Sequence, residues 1–273
     1  MNLTSPSAVK AWCIENGFHP NKTLGQNFLI DRNALVAITD IGLEGAAPGE
    51  TVLEIGPGLG VLTEEMLARG MRVVAIEKDP VLAARLQAEM TSANPSLAVV
   101  AGDALSPKVM AEAEKPFGPP KRLVSNLPYQ AGTRILLELV QKRELERMTV
   151  LLQTEVAERL AAKEGSKTRS LAGVWAQLDY DVKIVRKVAA SCFWPRPEIG
   201  SSVVTLTRHE RNIALSERER DVFRRLTKKA FEHRRKQLGS VFKDLIQSQL
   251  RAEQLSNEDW INLSKGIAEN EDS

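Results

Sequence analysis

A chain of 273 residues is long enough for one large α/β domain and a smaller second domain. Hydrophobic residues make up 43% of it and charged residues 26%, which is typical of soluble globular proteins and excludes disordered or collagen-like chains. No apolar run approaches the roughly 18 residues of a membrane-spanning helix, and the N-terminus lacks a secretion signal, so we expect a cytoplasmic protein.

The two cysteines and three histidines lie far apart in the sequence, so we expect no metal site and no disulfide framework. The net charge of +2 hides an uneven distribution. Residues 211–243 contain eleven Lys or Arg and four Asp or Glu, whereas residues 244–273 contain two basic and seven acidic side chains. The sequence therefore predicts a basic segment followed by an acidic tail.

The first predicted element is a short N-terminal helix with Pro6 in its first turn. A basic loop follows at residues 19–26 and is placed to close over a ligand. Trp12 and Phe28 are expected to pack in the core, because isolated aromatic side chains usually do so.

From residue 51 onwards, strand-like apolar runs alternate with helical patterns, which indicates a mostly parallel, doubly wound sheet. The predicted strands are residues 51–56, 72–77, 97–105, 122–129 and 148–153, and the predicted helices are residues 60–69 and 132–142. The runs at 181–188 and 201–207 are expected to form a closing antiparallel pair. Residues 193–197 between them are predicted to be a fixed loop, since proline lacks the amide hydrogen that a sheet needs.

A helical segment follows the last strand pattern. Ser216 and Glu219 form an S-x-x-E capping box ahead of apolar side chains at Val222, Leu226 and Ala230, which have helical spacing. We therefore predict a small all-α domain after the α/β domain. The predicted domains are residues 1–208, with residues 1–31 forming a helix and loop over the site, and residues 209–273.

The strand-to-helix turn E-I-G-P-G-L-G, residues 54–60, is the strongest ligand-binding motif in the sequence. Its glycines let the backbone turn sharply and approach a ligand closely. The dinucleotide fingerprint G-x-G-x-x-G is incomplete, because Val61 stands where the third glycine belongs, and this disfavours a nicotinamide enzyme. The spacing G-x-G-x-G instead resembles motif I of the methyltransferases that use S-adenosylmethionine.

Two acidic side chains follow the next strands. Glu77 ends one of them, where a carboxylate can accept hydrogen bonds from both hydroxyls of a ribose. Asp103 follows the other and is placed to bond the adenine amine of the donor. The alternatives are a helix cap or solvent-facing charge for Glu77 and an Asx turn for Asp103.

The motif N-L-P-Y, residues 126–129, ends a strand at the edge where open α/β sheets bind ligands. Its residue types suit methyl transfer to the exocyclic N6 amine of adenine. The Asn126 oxygen and a main-chain carbonyl positioned by Pro128 can hold the amine hydrogens, and Tyr129 offers a ring on which an extruded base stacks. Such catalysis by proximity and orientation needs no general base. A β-turn with a core tyrosine is the alternative.

Together, seven motifs resemble those of the ribosomal RNA adenine dimethyltransferases of the small-subunit type. They are T-L-G-Q-N-F-L, E-I-G-P-G-L-G, A-I-E, G-D-A, N-L-P-Y, F-W-P-R-P-E-I-G-S and H-R-R-K-Q-L, within residues 20–245. The resemblance implies a Rossmann-like class I S-adenosylmethionine methyltransferase fold with a small all-α C-terminal domain. It also implies dimethylation of two adjacent adenosines near the 3′ end of small-subunit rRNA.

The resemblance also implies roles for individual residues. Asn126 would contact the donor and hold the target amine, and Tyr129 and Phe193 would enclose the adenine. The expected donor-binding residues are Asn27, Leu29, Gly56, Gly58, Glu77, Lys78, Asp103, Ala104 and Asn126. The expected catalytic residues are Asn126, Leu127, Pro128, Tyr129 and Phe193.

The basic segment is expected to bind RNA phosphates, with a solvated helix face as the alternative. The residues concerned are Arg224, Arg225, Lys228, Lys229, Arg234, Arg235 and Lys236. We expect a monomer that binds small-subunit rRNA or a pre-30S particle.

Two other functions remain open. One is a large-subunit (23S) rRNA adenine N6-methyltransferase of the antibiotic-resistance type, which shares Q-N-F-L and N-x-P-Y. The other is a ribosome-assembly factor that binds RNA without turnover. Leu127 favours the small-subunit type, and the intact Asn126 and Tyr129 favour catalysis.

Overall fold

A computed structural model describes residues 3–142, 144–211 and 215–270. Its strands are β1 (Phe28–Leu29), β2 (Thr51–Ile55), β3 (Arg72–Glu77), β4 (Leu97–Ala101), β5 (Arg122–Asn126), β6 (Arg147–Gln153), β7 (Tyr180–Val188), β8 (Phe193–Trp194) and β9 (Ser201–Arg208). Its helices are α1 (Pro6–Glu15), α2 (Arg32–Leu43), α3 (Val61–Ala68), α4 (Pro80–Leu86), α5 (Pro107–Glu114), α6 (Gly132–Leu139), α7 (Thr154–Ala161), α8 (Leu171–Asp179), α9 (Glu217–Glu232), α10 (Leu238–Phe242) and α11 (Asn257–Asn270).

Within the described residues, seven strands form the central sheet, in the order β4-β3-β2-β5-β6-β9-β7. The strands from β2 to β6 pair in parallel, and β9 lies antiparallel to β6. The side chains of β2, β3, β5 and β6 are almost all buried, as expected for parallel strands covered on both faces. This confirms the predicted parallel sheet with an antiparallel closing strand. The strand order reverses between β2 and β5, the position at which such sheets bind ligands.

The N-terminal helix begins as its sequence predicts. The Ser5 hydroxyl accepts a hydrogen bond from the Ala8 amide, and Pro6 occupies the first turn, where no amide hydrogen is needed. Trp12 and Phe28 are 4% and 6% exposed and share one apolar cluster. Their predicted packing in the core is therefore confirmed.

The prediction of a loop over residues 193–197 is wrong at its first two positions. Phe193 and Trp194 form β8, which pairs antiparallel with β1 and places Leu29 opposite Phe193. These two residues have amide hydrogens and can form a ladder, whereas Pro195 has none and ends it. The short ladder joins the segment that follows the N-terminal loop to the segment between β7 and β9.

The chain divides into two compact units. The first comprises Met1–Ala157 and Lys183–Thr207, and the second comprises Glu158–Val182 and Arg208–Ser273. The second unit therefore includes a segment that follows β6 in sequence and ends within β7. The boundary at residue 208 stays a prediction.

The second unit has its own apolar core. The Ser216 hydroxyl accepts a hydrogen bond from the Glu219 amide, and the Glu219 carboxylate accepts one from the Ser216 amide, which confirms the capping box. Val222, Leu226 and Ala230 on α9 are buried in this core, where α9 packs against α11. None of the described helices is long and apolar enough to cross a lipid bilayer.

Candidate functional site

Four parallel strands place the predicted ligand-binding residues at one edge of the sheet. Gly56, Glu77, Asp103 and Asn126 end or follow β2, β3, β4 and β5 respectively. Because these strands run in the same direction, the four residues line a common pocket. This pocket lies within the first unit.

The glycine turn between β2 and α3 needs glycine for two physical reasons. Gly56, Gly58 and Gly60 have φ angles of 69°, 59° and 81°, a region that residues with a Cβ atom rarely adopt. A Cβ atom on Gly58 would lie 3.1 Å from the ring of Phe28. The Gly58 amide also donates to Glu77 Oε2 at 3.0 Å. The turn is thus closely packed and tied to the end of β3.

Glu77 is a buried carboxylate on the pocket wall. It is 6% exposed, and its Oε1 accepts a hydrogen bond from the Asp79 amide at 2.8 Å. Burial raises the pKa of Glu77, and the hydrogen bonds from the Asp79 and Gly58 amides partly offset this rise. Each carboxylate oxygen has a further lone pair, so Glu77 can still accept a hydrogen bond from a ribose hydroxyl.

Asp103 is held as an anion at the end of β4. Its Oδ1 accepts from the Leu105 amide, and its Oδ2 lies 2.9 Å from Lys78 Nζ. The Leu105 amide and the Lys78 ammonium lower the pKa of Asp103. The Leu105 bond is the Asx turn considered above, and it coexists with the position of Asp103 on the pocket wall. A charged acceptor there suits an amine donor of a ligand.

Asn126 has one amide atom bonded and the other available. Its Nδ2 donates to the main-chain oxygen of Asn27 at 2.9 Å, which fixes the orientation of the amide. Its Oδ1 is buried and has no hydrogen-bond partner among the described residues. A buried polar atom without a partner costs about 1–3 kcal/mol. Because Asn126 lines the pocket, the N–H group of a ligand can satisfy this oxygen.

The rest of the N-L-P-Y turn is also engaged. The Tyr129 hydroxyl lies 2.6 Å from Ser201 Oγ, which holds the half-buried ring at the pocket wall. Burial raises the pKa of Tyr129, so its phenol is neutral at physiological pH. The Pro128 carbonyl accepts from the Gly132 amide at 2.7 Å and thereby starts α6. Leu127 also lines the pocket, and its carbonyl is the main-chain acceptor that we propose for a ligand.

The structure brings the predicted donor-binding and catalytic residues together around this pocket, with the exception of Phe193. Phe193 is 2% exposed, and its ring packs in the apolar core with Leu29, Val188 and Val203. Its contact with the target adenine stays a prediction, and Phe193 is not among the residues that line the pocket.

Two pocket residues, Glu54 and Gln26, were not singled out in the sequence. Glu54 is 1% exposed and accepts a hydrogen bond from the Thr63 hydroxyl at 2.5 Å. Burial raises the pKa of Glu54 to about 8, and the charge of Glu77 acts in the same direction. Both residues stand inside quoted motifs, E-I-G-P-G-L-G and T-L-G-Q-N-F-L, but their partners come from elsewhere in the chain. Only the folded structure shows those partners.

The pocket residues fit S-adenosylmethionine. Glu77 and Asp103 supply acceptors for ribose hydroxyls and for an adenine amine, and the glycine turn leaves room for a ligand to approach the backbone closely. The unpartnered oxygen of Asn126 lies on the same wall. In the described part of the chain, His, Cys, Asp and Glu do not form a group of three or more that could hold a metal ion.

The predicted RNA-binding side chains lie on α9 and just after it. Those that are exposed are Arg225, Lys228, Lys229, Arg235 and Lys236. Arg224 is half-buried and lies 3.2 Å from Asp221. Arg234 donates to the main-chain oxygen of Lys167 and lies 3.6 Å from Glu253, so it links segments within the second unit.

Two solved structures establish the class of fold. A dimethyladenosine transferase from Plasmodium falciparum superposes with a TM-score of 0.71 at 21% identity, covering 88% of this chain and 97% of that one. The 23S rRNA methyltransferase ErmE superposes with a TM-score of 0.63 at 23% identity, covering 88% and 98% of the two chains. The chain therefore has the class I methyltransferase fold that the resemblance implied.

Sequence comparison defines the family. The sequence model of the ribosomal RNA adenine dimethylase family matches residues 17–270, and the chain belongs to this family. The Ribosomal RNA small subunit methyltransferase A of Deinococcus radiodurans is 46% identical over 208 residues, which are 75% of this chain and 67% of that protein. The protein of that name from Chlorobium chlorochromatii is 39% identical over 251 residues, 89% and 91% of the two chains. The chain is thus a methyltransferase, and S-adenosylmethionine is its methyl donor.

Proposed function

We propose that this protein dimethylates the N6 amines of two adjacent adenosines near the 3′ end of small-subunit rRNA. The observation that carries the proposal is the buried, unpartnered Oδ1 of Asn126 on the wall of the pocket. Family membership supports adenine as the methylated base. The names of the two relatives support the small subunit as the source of the RNA.

The chemistry of the acceptor explains the use of an asparagine. The lone pair of adenine N6 is delocalised into the ring, so the amine is a weak nucleophile. Asn126 Oδ1 and the Leu127 carbonyl accept its two hydrogens and favour a pyramidal nitrogen with a localised lone pair. After the first transfer one hydrogen remains, and one acceptor suffices. The Tyr129 ring stacks on the extruded base and fixes its plane.

Orientation supplies most of the rate in this mechanism. The bound donor provides a methyl group on a positively charged sulfur. Holding both reactants in line offsets up to roughly 7–11 kcal/mol of the barrier. The methylated nitrogen is strongly acidic and releases its proton to water, so no side chain has to act as a base.

The second unit carries the predicted phosphate contacts. The exposed cations Lys228, Lys229 and Arg235 bind phosphates of the RNA. We further propose that the protein works as a monomer in the cytoplasm and that its substrate is a pre-30S particle.

The decisive experiment supplies purified protein and radiolabelled S-adenosylmethionine with small subunits, large-subunit RNA or duplex DNA, and then identifies the labelled nucleoside. We expect N6,N6-dimethyladenosine on small subunits alone. Label on large-subunit RNA would replace the proposal by the resistance-type activity. Donor binding without transfer to any of the three would replace it by a non-catalytic assembly function.

A further inference from the structure

The loop before β1 is fastened on both sides of the pocket by two adjacent residues. Gln26 Nε2 donates to Asp79 Oδ2 at 2.8 Å, and the main-chain oxygen of Asn27 accepts from Asn126 Nδ2 at 2.9 Å. Gln26 and Asn27 both line the pocket. One short segment therefore spans from the region after β3 to the N-L-P-Y turn.

Asp79 connects Gln26 to the donor-binding carboxylate. It is 7% exposed, its Oδ1 caps α4, and its main-chain amide donates to Glu77 Oε1 at 2.8 Å. The other oxygen of Glu77 accepts the Gly58 amide. A continuous series of hydrogen bonds thus runs from the loop through Asp79 and Glu77 to the glycine turn.

The loop is also ordered from within. Gln26 Oε1 accepts from the Asn21 amide at 2.7 Å, so the single side-chain amide of Gln26 bonds both its own loop and Asp79. A Cβ atom on Gly25 would lie 3.1 Å from the Tyr129 amide nitrogen, which shows how closely the loop approaches the N-L-P-Y turn.

We propose that Gln26 is a positioning residue for methyl transfer, which acts by holding this loop across the donor through Asp79. The inference rests on the proposed function and deepens it. Gln26 acts through Glu77 and Asn126 and not on the reacting atoms. Its loss should therefore weaken donor binding more than it slows transfer at saturating donor.

The variant Gln26→Met keeps the length of the side chain and removes both of its hydrogen bonds, and Gln26→Glu places a carboxylate against Asp79. For each we expect the Kd of S-adenosylhomocysteine, measured calorimetrically, and the KM for the donor to rise about tenfold, as loss of a hydrogen bond to a charged group implies. We expect kcat and the melting temperature of the ligand-free protein to change far less. Gln141→Met removes an exposed side-chain amide just after the C-terminal end of α6 and serves as the matched control.

The exchange Gln26→Glu with Asp79→Asn tests whether the contact itself matters. It reverses donor and acceptor, leaves the net charge unchanged and preserves an oxygen to cap α4, so we expect donor affinity to recover. An unchanged Kd in Gln26→Met, or a Kd that follows a falling melting temperature without rescue by the exchange, would overturn this inference alone. If the wild-type protein does not bind S-adenosylhomocysteine, the proposed function falls and this inference falls with it.

Discussion

The side-chain amide of Asn126, a residue of the pocket wall, has two different ends: Nδ2 donates to the N-terminal loop, and Oδ1 is buried without a partner among the described residues. Removing it in Asn126→Ala should lower the single-turnover rate of methylation by about 100-fold or more, as loss of one preorganised polar group does in other active sites. Donor affinity should fall less, because Glu77 and Asp103 remain. The exposed Asn33→Ala on α2 is the control. Wild-type rates in Asn126→Ala would contradict the mechanism.

The buried carboxyl of Glu54 should make the stability of the folded protein depend on pH. Its pKa is raised from 4.5 to about 8, so between these values the folded protein holds a proton that the unfolded chain releases. The free energy of unfolding therefore falls as the pH rises through this window. Glu54→Gln keeps an acceptor for Thr63 and removes the titration, which should stabilise the protein above pH 8 by at most about 5 kcal/mol relative to wild type.

Urea unfolding at several pH values measures this difference. The two proteins should have nearly equal stability at the acidic end of the window and diverge towards its alkaline end. Glu138→Gln, at an exposed position on α6, should run parallel to wild type throughout. Equal pH slopes for wild type and Glu54→Gln would show that Glu54 titrates normally.

Among single residues, the sequence predicts the location of those whose backbone position is set by a motif. Gly58, Glu77 and Asn126 stand at strand ends or turns, and the pattern of strands places them. Phe193 and Gln26 are different, because what surrounds them comes from distant segments. The sequence alone cannot show that Phe193 is covered by core side chains or that Gln26 meets Asp79.

Among the elements, α9 is the helix to which we assign a proposed RNA contact beside its packing role. Its apolar face forms the core of the second unit, and its opposite face carries exposed cations. The pair Lys228→Glu and Arg235→Glu should weaken binding to small-subunit RNA and make the logarithm of affinity less steep in salt by about two units, one for each lost phosphate contact. Arg234 is less suitable for charge reversal, because it donates to the main-chain oxygen of Lys167 and pairs with Glu253.

The control for this variant must change the net charge equally. Lys10→Glu with Lys108→Glu does so at two exposed positions on α1 and α5 of the first unit. Filter binding across a salt series distinguishes the two variants, and S-adenosylhomocysteine affinity should be unchanged in both. Identical salt slopes for the two would place the RNA contact elsewhere.

The elements that the sequence predicts well are those with local periodicity. The βαβ units and the capping box of α9 follow from apolar spacing and from side chains within one turn. β8 cannot be predicted in this way, because a two-residue strand has no periodicity and its ladder depends on β1 lying beside it. The segment Glu158–Val182 likewise gives no local sign that it packs in the second unit.

For the whole molecule, the proposed binding of the donor in the pocket of the first unit predicts a pattern of hydrogen exchange. A ligand that binds only the folded protein stabilises it by about 2.7 kcal/mol at a hundredfold excess over its Kd. Beyond this general effect, amides that close on the ligand lose their local opening. With S-adenosylhomocysteine, protection should therefore rise most in residues 23–29, in the glycine turn at residues 56–60 and beside Glu77.

Amides of α9 provide an internal reference for this measurement, because they lie in the second unit. Their exchange should change less than that of residues 23–29. The Gln26→Met variant adds a further comparison. If Asp79 holds the loop across the donor through Gln26, ligand binding should protect residues 23–29 less in this variant than in wild type. The protection of residues 56–60 should persist. Bound ligand without added protection at either segment would contradict the placement of the donor at the ends of β2 and β3.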